Sequence, residues 1–174
     1  MPAYWHFGSG NGEFMTGKKL IVSLAATAAL LGTVPASAAE ATPQTYKEQV
    51  EPICQRNTEA NARILKGARS NVKAGKLKKA SRQLLAAARA LKQTRGQLIK
   101  VQQPAEDAAR LARWLKGVKT EVEMLEATGS KLAKGEKNAA VKMVIRLESN
   151  ANKTNNLVLD YQFRYCRFQP AKFL

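Results

Sequence analysis

Histidine, cysteine and the short catalytic signatures are almost missing from this chain of 174 residues. His6 is the only histidine and there are two cysteines. The chain after His6 contains no histidine. It therefore lacks the usual general base, the Ser–His and Cys–His nucleophile pairs and the commonest metal ligand. No CxxCH haem attachment, P-loop or glycine-rich dinucleotide signature occurs either. We therefore expect no enzymatic activity, no cofactor and no metal site.

Acidic residues are missing from the whole interval between Glu59 and Glu106. The same interval carries twelve Lys and Arg residues and no aromatic residue, in a chain with a formal net charge of +16. Such a charge favours a polyanionic partner. The lack of aromatic residues argues against binding of single-stranded nucleic acid, which relies on stacking of bases on aromatic side chains. No helix-turn-helix signature indicates sequence-specific DNA binding.

One apolar run, residues 20–31, has the features of an export signal. Two lysines precede it and an Ala-Ser-Ala cleavage site follows at 36–38, which is the order of a secretory signal peptide. We expect translation to start at Met15, with the signal over residues 15–38. Residues 1–14 then form an extension ahead of the true start, and the alternative is a genuine extension that is lost on export.

The same run is too short to anchor the protein in a membrane. Gly32 and Pro35 interrupt it, whereas a spanning helix needs about 20 predominantly apolar residues. No cysteine stands just after the cleavage site to carry a lipid anchor. We expect an exported protein without a transmembrane segment, located outside the cell, in the periplasm or at the cell wall.

Apolar residues then recur at steps of three and four, the pattern of amphipathic helices, in four successive segments. The first segment runs from Tyr46 to a stop at Gly75. The second carries leucines one heptad apart, and Pro104 separates it from the third. The third ends at Gly129 or at the "KGEK" that follows, and the fourth continues to Tyr161.

Four helices with short connections predict an all-α fold, an antiparallel up-down-up-down four-helix bundle over residues 46–169. A flexible lead at 39–45 precedes it and a tail at 170–174 follows. This topology brings Cys54 in the first helix next to Cys166 after the fourth. Two cysteines in an exported chain most simply form a disulfide, so we expect one disulfide to close the bundle.

Basic side chains line one face of the second predicted helix. At about 100° per residue, five of them fall within an arc of roughly 80° beside the leucines, and they extend over about 30 Å. The five residues, called the basic ridge below, are Lys78, Arg82, Arg89, Lys92 and Lys100. A polyanion could bind along them through salt-sensitive contacts, and the alternative is a solvated face. Arg95 points towards the leucines and should snorkel.

Three other groups have both a packing and a functional interpretation. Trp114 lies one position from the apolar seam of the third helix and should be a half-buried packing residue. The aromatic residues near the C-terminus should cap the bundle around the disulfide, or else form an exposed patch for a protein partner. They are Tyr161, Phe163, Tyr165 and Phe168. If the protein were an enzyme, its candidate catalytic acids would be Glu121, Glu123 and Glu126. We expect these three residues on a solvated helix face instead.

Several of these residues together form a sparse but ordered set. They are Tyr46, Cys54, Pro104 ahead of Glu106 and Asp107, Trp114, Gly135 and Cys166. In this layout the chain resembles a group of small exported bacterial helical-bundle proteins with two widely spaced cysteines. The resemblance implies a helical bundle outside the cytoplasm and no particular activity, because none is established for the group. Many members look like lipoproteins, whereas this chain lacks the anchor cysteine.

These features together predict an exported, basic, non-catalytic binding protein. We expect it to attach electrostatically to an anionic envelope polymer, a lipid surface or extracellular nucleic acid through the basic ridge. The alternative is a secreted protein-interaction or inhibitor module that uses the aromatic C-terminal end of the bundle.

Overall fold

The computed structural model describes residues 40–172, and these contain helices and no strand. The helices are α1 (Pro43–Ile64), α2 (Ala68–Lys73), α3 (Leu77–Leu98), α4 (Ala108–Ala133) and α5 (Lys137–Asn156). Short 3-10 helices lie at Ala105–Asp107, Leu159–Tyr161 and Pro170–Lys172. The all-α prediction is confirmed, with four long helices packed together. The predicted extension and signal peptide lie outside the described residues.

Helix α3 packs extensively on α4, and α4 on α5, while α1 and α2 both pack on α3. Small residues allow close approach at these interfaces. The Ser81 hydroxyl of α3 donates to the Gly129 carbonyl of α4 at 2.7 Å. On the other side of α4, Gly117 faces Thr154 of α5 so closely that a Cβ there would lie 2.2 Å from the threonine Oγ1. At Gly129 an added Cβ would lie 2.8 Å from Leu85 Cγ, so close packing favours glycine at both helix positions.

The first predicted helix is in fact two helices. α1 ends at Ile64 and α2 begins at Ala68, because Gly67 between them adopts a φ of 75°, a conformation that favours glycine. The Gln83 side chain of α3 donates to the carbonyls of Ile64 and Lys66, both at 2.9 Å. These bonds satisfy carbonyl groups that the break releases. The apolar spacing continues across the break, so periodicity alone could not reveal it.

The outer boundaries also differ from the predicted ones. α1 begins at Pro43, inside the expected flexible lead, because the Thr42 hydroxyl accepts from the Thr45 amide at 3.1 Å and proline suits the first helical turn. α4 passes through Gly129 and ends at Ala133, so "KGEK" is the stop. α5 ends well before Tyr161, which lies in a 3-10 helix.

The turns that follow α2 and α4 have the same conformation. Gly75 and Gly135 have φ values of 71° and 80°. The amide after each glycine donates to the carbonyl five residues earlier, Lys76 to Asn71 at 2.8 Å and Glu136 to Lys131 at 2.9 Å. This bond belongs to the Schellman motif. Both turns therefore start a new helix in the same manner.

The predicted disulfide is confirmed between Cys54 of α1 and Cys166 of the C-terminal segment, whose Cα atoms are 4.9 Å apart. One turn earlier on α1, the Glu51 carboxylate accepts from the backbone amides of Arg164 and Tyr165. The C-terminal segment is thus attached to α1 by a covalent bond and by two hydrogen bonds. None of the helices within residues 40–172 has the length and apolar character needed to cross a membrane.

Candidate anion-binding surface and buried polar cavity

Every residue of the basic ridge is exposed in the structure. Within residues 40–172 none of the five takes part in an ion pair. Lys78, Arg82, Arg89 and Lys92 lie on α3, whereas Lys100 lies beyond the helix end at Leu98. The helical projection therefore holds for four residues and is wrong for Lys100. One face of α3 thus carries four exposed cations that have no ion-pair partner in the described part of the chain.

Arg95 does not belong to this surface. Its side-chain Nε donates to the carbonyl of Leu115 on α4 at 3.0 Å, and the side chain is only partly exposed. The expectation that it turns towards the apolar side is confirmed. Its guanidinium therefore links α3 to α4.

The basic surface continues beyond the ridge at the start of α3. Lys76 and Lys79 flank Lys78 there, and Lys134 from the turn after α4 lines the same shallow depression. No acidic residue lies in the first turn of α3, so the positive end of the helix dipole adds to these charges. Lys134 could not be predicted as part of this surface, because only the fold brings the two turns together.

A second feature is a cavity of about 80 Å³ beside the disulfide. Three buried polar atoms that line it have no hydrogen-bond partner among the described residues. They are Asn61 Oδ1, Trp114 Nε1 and Glu121 Oε2. A buried polar atom left unpaired costs a fold about 1–3 kcal/mol. The cavity therefore has a partly polar lining, and it reaches the exposed side chains of Arg164 and Lys172.

Glu121 contradicts the prediction of a solvated acidic face. Its exposed fraction is 0 %, and burial raises its pKa to about 8, partly opposed by a hydrogen bond with Thr154. Glu123 is exposed and Glu126 half-buried. The prediction failed because Glu121 faces α5, where the Asn150 side-chain amide donates to its Oε1 at 3.5 Å, and tertiary packing determines this direction. Burial therefore favours the protonated form of this carboxyl group.

The aromatic residues form one cluster at the disulfide end of the core. Trp114 is 1 % exposed, so it is a packing residue as predicted, but the predicted half-burial is wrong. Its ring lies 5.8 Å from that of Phe163, which stacks on Tyr161 at 5.0 Å. Tyr165 and Phe168 pack partly exposed against the same core. The predicted cap around the disulfide is confirmed.

No group of three or more metal-binding side chains occurs within residues 40–172. Comparisons with protein-family models, curated proteins and solved structures found no match to this chain. Its function has to be inferred from its own charges, burial and geometry.

Proposed function

We propose that this protein is an exported, non-catalytic binding protein that attaches electrostatically to an anionic polymer or surface of the cell envelope. An envelope polymer, a lipid surface and extracellular nucleic acid share the repeated negative charge that it would recognise. One observation carries the proposal, namely that the cations of the basic ridge are exposed and unpaired among the described residues. The signal peptide at 15–38 is part of the proposal.

The up-down-up-down helix order is also part of this proposal. The successive packing of α3 with α4 and of α4 with α5, each pair following directly in the chain, supports it. So does the disulfide, which joins α1 to the segment after α5. In this arrangement α3 presents its basic face along the length of the bundle, and a linear polymer could follow it.

The geometry suits several simultaneous contacts. Lys78 and Lys92 are about 21 Å apart along the helix axis at 1.5 Å per residue, with Arg82 and Arg89 between them. Each phosphate that a cation neutralises releases condensed counterions and adds about −0.9 to the slope of log K against log salt for duplex DNA. Four contacts should therefore produce a slope of about −4.

The test uses the expected mature chain, residues 39–174, which contains all described helices. We would measure its affinity for a short duplex DNA, as a generic polyanion, over a series of salt concentrations. The ridge variant replaces Lys78, Arg82, Arg89 and Lys92 with Gln. The control variant removes the same charge from exposed residues of α1 and α5. It replaces Arg56, Arg63, Lys142 and Lys153 with Gln.

We expect a steep slope in the wild type, a much shallower slope in the ridge variant and a largely retained slope in the control. Equal losses in both variants would mean that net charge alone attracts the polymer. Failure to bind at low salt would mean that the ridge is only a solvated face. Either result contradicts the proposal.

The alternative is a protein-interaction or inhibitor module that acts through the aromatic end. It has less support, because Tyr161 and Phe163 are buried and only Tyr165 and Phe168 remain half-buried. Binding of that kind should persist at high salt and in the ridge variant. The same series of measurements therefore separates the two functions.

A further inference from the structure

The break between α1 and α2 is accompanied by an apolar groove of about 390 Å³, which lies between α2 and α5. Its floor includes Leu84 of α3 and Leu132 of α4. Val72 of α2 lines one side and Val144 of α5 the other. This volume lies within the range of about 300–1,000 Å³ that is typical of small-molecule sites. The groove thus has the size and apolar lining of a ligand site.

Helix α5, which forms one side of the groove, exposes large apolar side chains to solvent. Val141, which lines the groove, is 48 % exposed, and Ile145 one turn further along α5 is 65 % exposed. Residues four apart lie on the same face of a helix. They are two of the four large apolar side chains that are markedly exposed among the described residues. Exposed apolar side chains beside a groove are a feature of ligand-binding sites.

The edge of the groove is positively charged. Lys73 of α2 and Lys137 at the start of α5 both line it and are exposed, and within residues 40–172 neither forms an ion pair. Arg69 lies at the same edge, where it also donates to the Ala171 carbonyl at 3.2 Å. Among the residues that the structure describes, no acidic side chain lines the groove. Its occupant should therefore be apolar with an anionic end.

A second copy of this chain does not fit that description. It would bring another groove edge with the same lysines, on a chain of formal net charge +16, and like charges oppose such contact. A lipid with two chains would leave one chain without a groove. A single acyl chain that ends in a carboxylate satisfies both the apolar lining and the charged edge.

We propose that the groove binds one long-chain fatty acid, with its hydrocarbon chain against Leu84, Leu132 and Val144 and its carboxylate near Lys73 and Lys137. This site is separate from the basic ridge and shares no residue with it. It therefore adds a second binding activity and does not depend on the proposed attachment to a polyanion.

The test is calorimetric titration of residues 39–174 with octanoate, decanoate and dodecanoate below their micelle concentrations. Each buried methylene contributes about 0.8 kcal/mol, or about fourfold in affinity. We expect about fifteenfold tighter binding for each two-carbon step until the chain fills the groove. Dodecanol serves as the uncharged probe and should bind more weakly than dodecanoate.

Three variants locate the site. Val144→Glu places a charge in the groove and should abolish dodecanoate binding, whereas Ile99→Glu places the same charge at a half-exposed residue outside it and should not. Lys73→Gln with Lys137→Gln should weaken dodecanoate about tenfold and leave dodecanol unchanged. These lysines are exposed, so this variant should fold even if Val144→Glu does not. The ridge variant should bind dodecanoate normally.

Absence of dodecanoate binding would overturn the proposal, as would binding that both Val144→Glu and the double lysine variant leave unchanged. Equal affinity for dodecanol would remove the role of the charged edge. Binding only to vesicles of anionic phospholipid, lost in the ridge variant, would also overturn it and would support surface attachment instead. The two proposals can therefore fail separately.

Discussion

Replacing Glu121 with Gln should remove most of the pH dependence of stability between pH 5 and pH 8. Its carboxyl group is fully buried and burial raises its pKa from 4.5 to about 8. The unfolded chain releases this proton near pH 4.5, whereas the folded protein keeps it until about pH 8. Stability should therefore fall as the pH rises through this window. The penalty is absent below pH 4.5 and complete above pH 8.

The expected size follows from 1.36 kcal/mol for each pH unit within the window. The wild type should lose about 3 kcal/mol of unfolding free energy between pH 5 and pH 7, a large part of the roughly 5–15 kcal/mol of a typical domain. Gln has a similar shape and does not ionise. No histidine after His6 contributes to the pH dependence in this window, because the rest of the chain contains none.

The assay is urea unfolding, followed by circular dichroism, at pH 5, 6, 7 and 8. Glu121→Gln should be nearly independent of pH and more stable than the wild type at pH 8. Glu123→Gln is the control, because Glu123 is exposed two positions further along α4, and it should keep the wild-type slope. A wild type whose stability is flat from pH 5 to pH 7, or a Glu121→Gln variant with an unchanged slope, would refute this reasoning.

Three further changes can be tested by the same unfolding assay. Reducing the Cys54–Cys166 disulfide should lower stability by about 4–5 kcal/mol on the chain-entropy model, since the two cysteines are 112 residues apart. An unchanged midpoint after reduction would contradict this. Gly117→Ala should cost about 1–3 kcal/mol, because its Cβ would collide with Thr154. Gly96→Ala, where a Cβ meets nothing within 4 Å, should instead stabilise α3 by about 1 kcal/mol. Equal effects of the two glycine changes would show that helix propensity, not packing, dominates.

Local properties of the chain were predictable from its residues. The spacing of apolar residues predicts the long helices, because burial of one face imposes a period of 3.6 residues on each of them. The disulfide follows from two cysteines near the ends of a helical chain. The exposure of the basic ridge follows from the high cost of burying an unpaired charge. These features depend on short stretches of sequence or on composition.

The break at Gly67 was not predictable, because apolar residues continue across it and the stabilising side chain, Gln83, comes from another helix. The predicted exposure of Glu121 was wrong for a related reason. Charged residues are rarely buried without a partner, so its residue type indicates the surface, while the contact of α4 with α5 buries it.

The sequence by itself determined the all-α class, the helix faces, the cysteine pair and the concentration of positive charge around α3. Only the tertiary structure decided which acid is buried, which lysines meet at the turns and where an apolar groove remains open. The physical reason is that periodicity and charge act within one helix. Cavities, grooves and raised pKa values arise between helices, from residues that lie far apart in the chain.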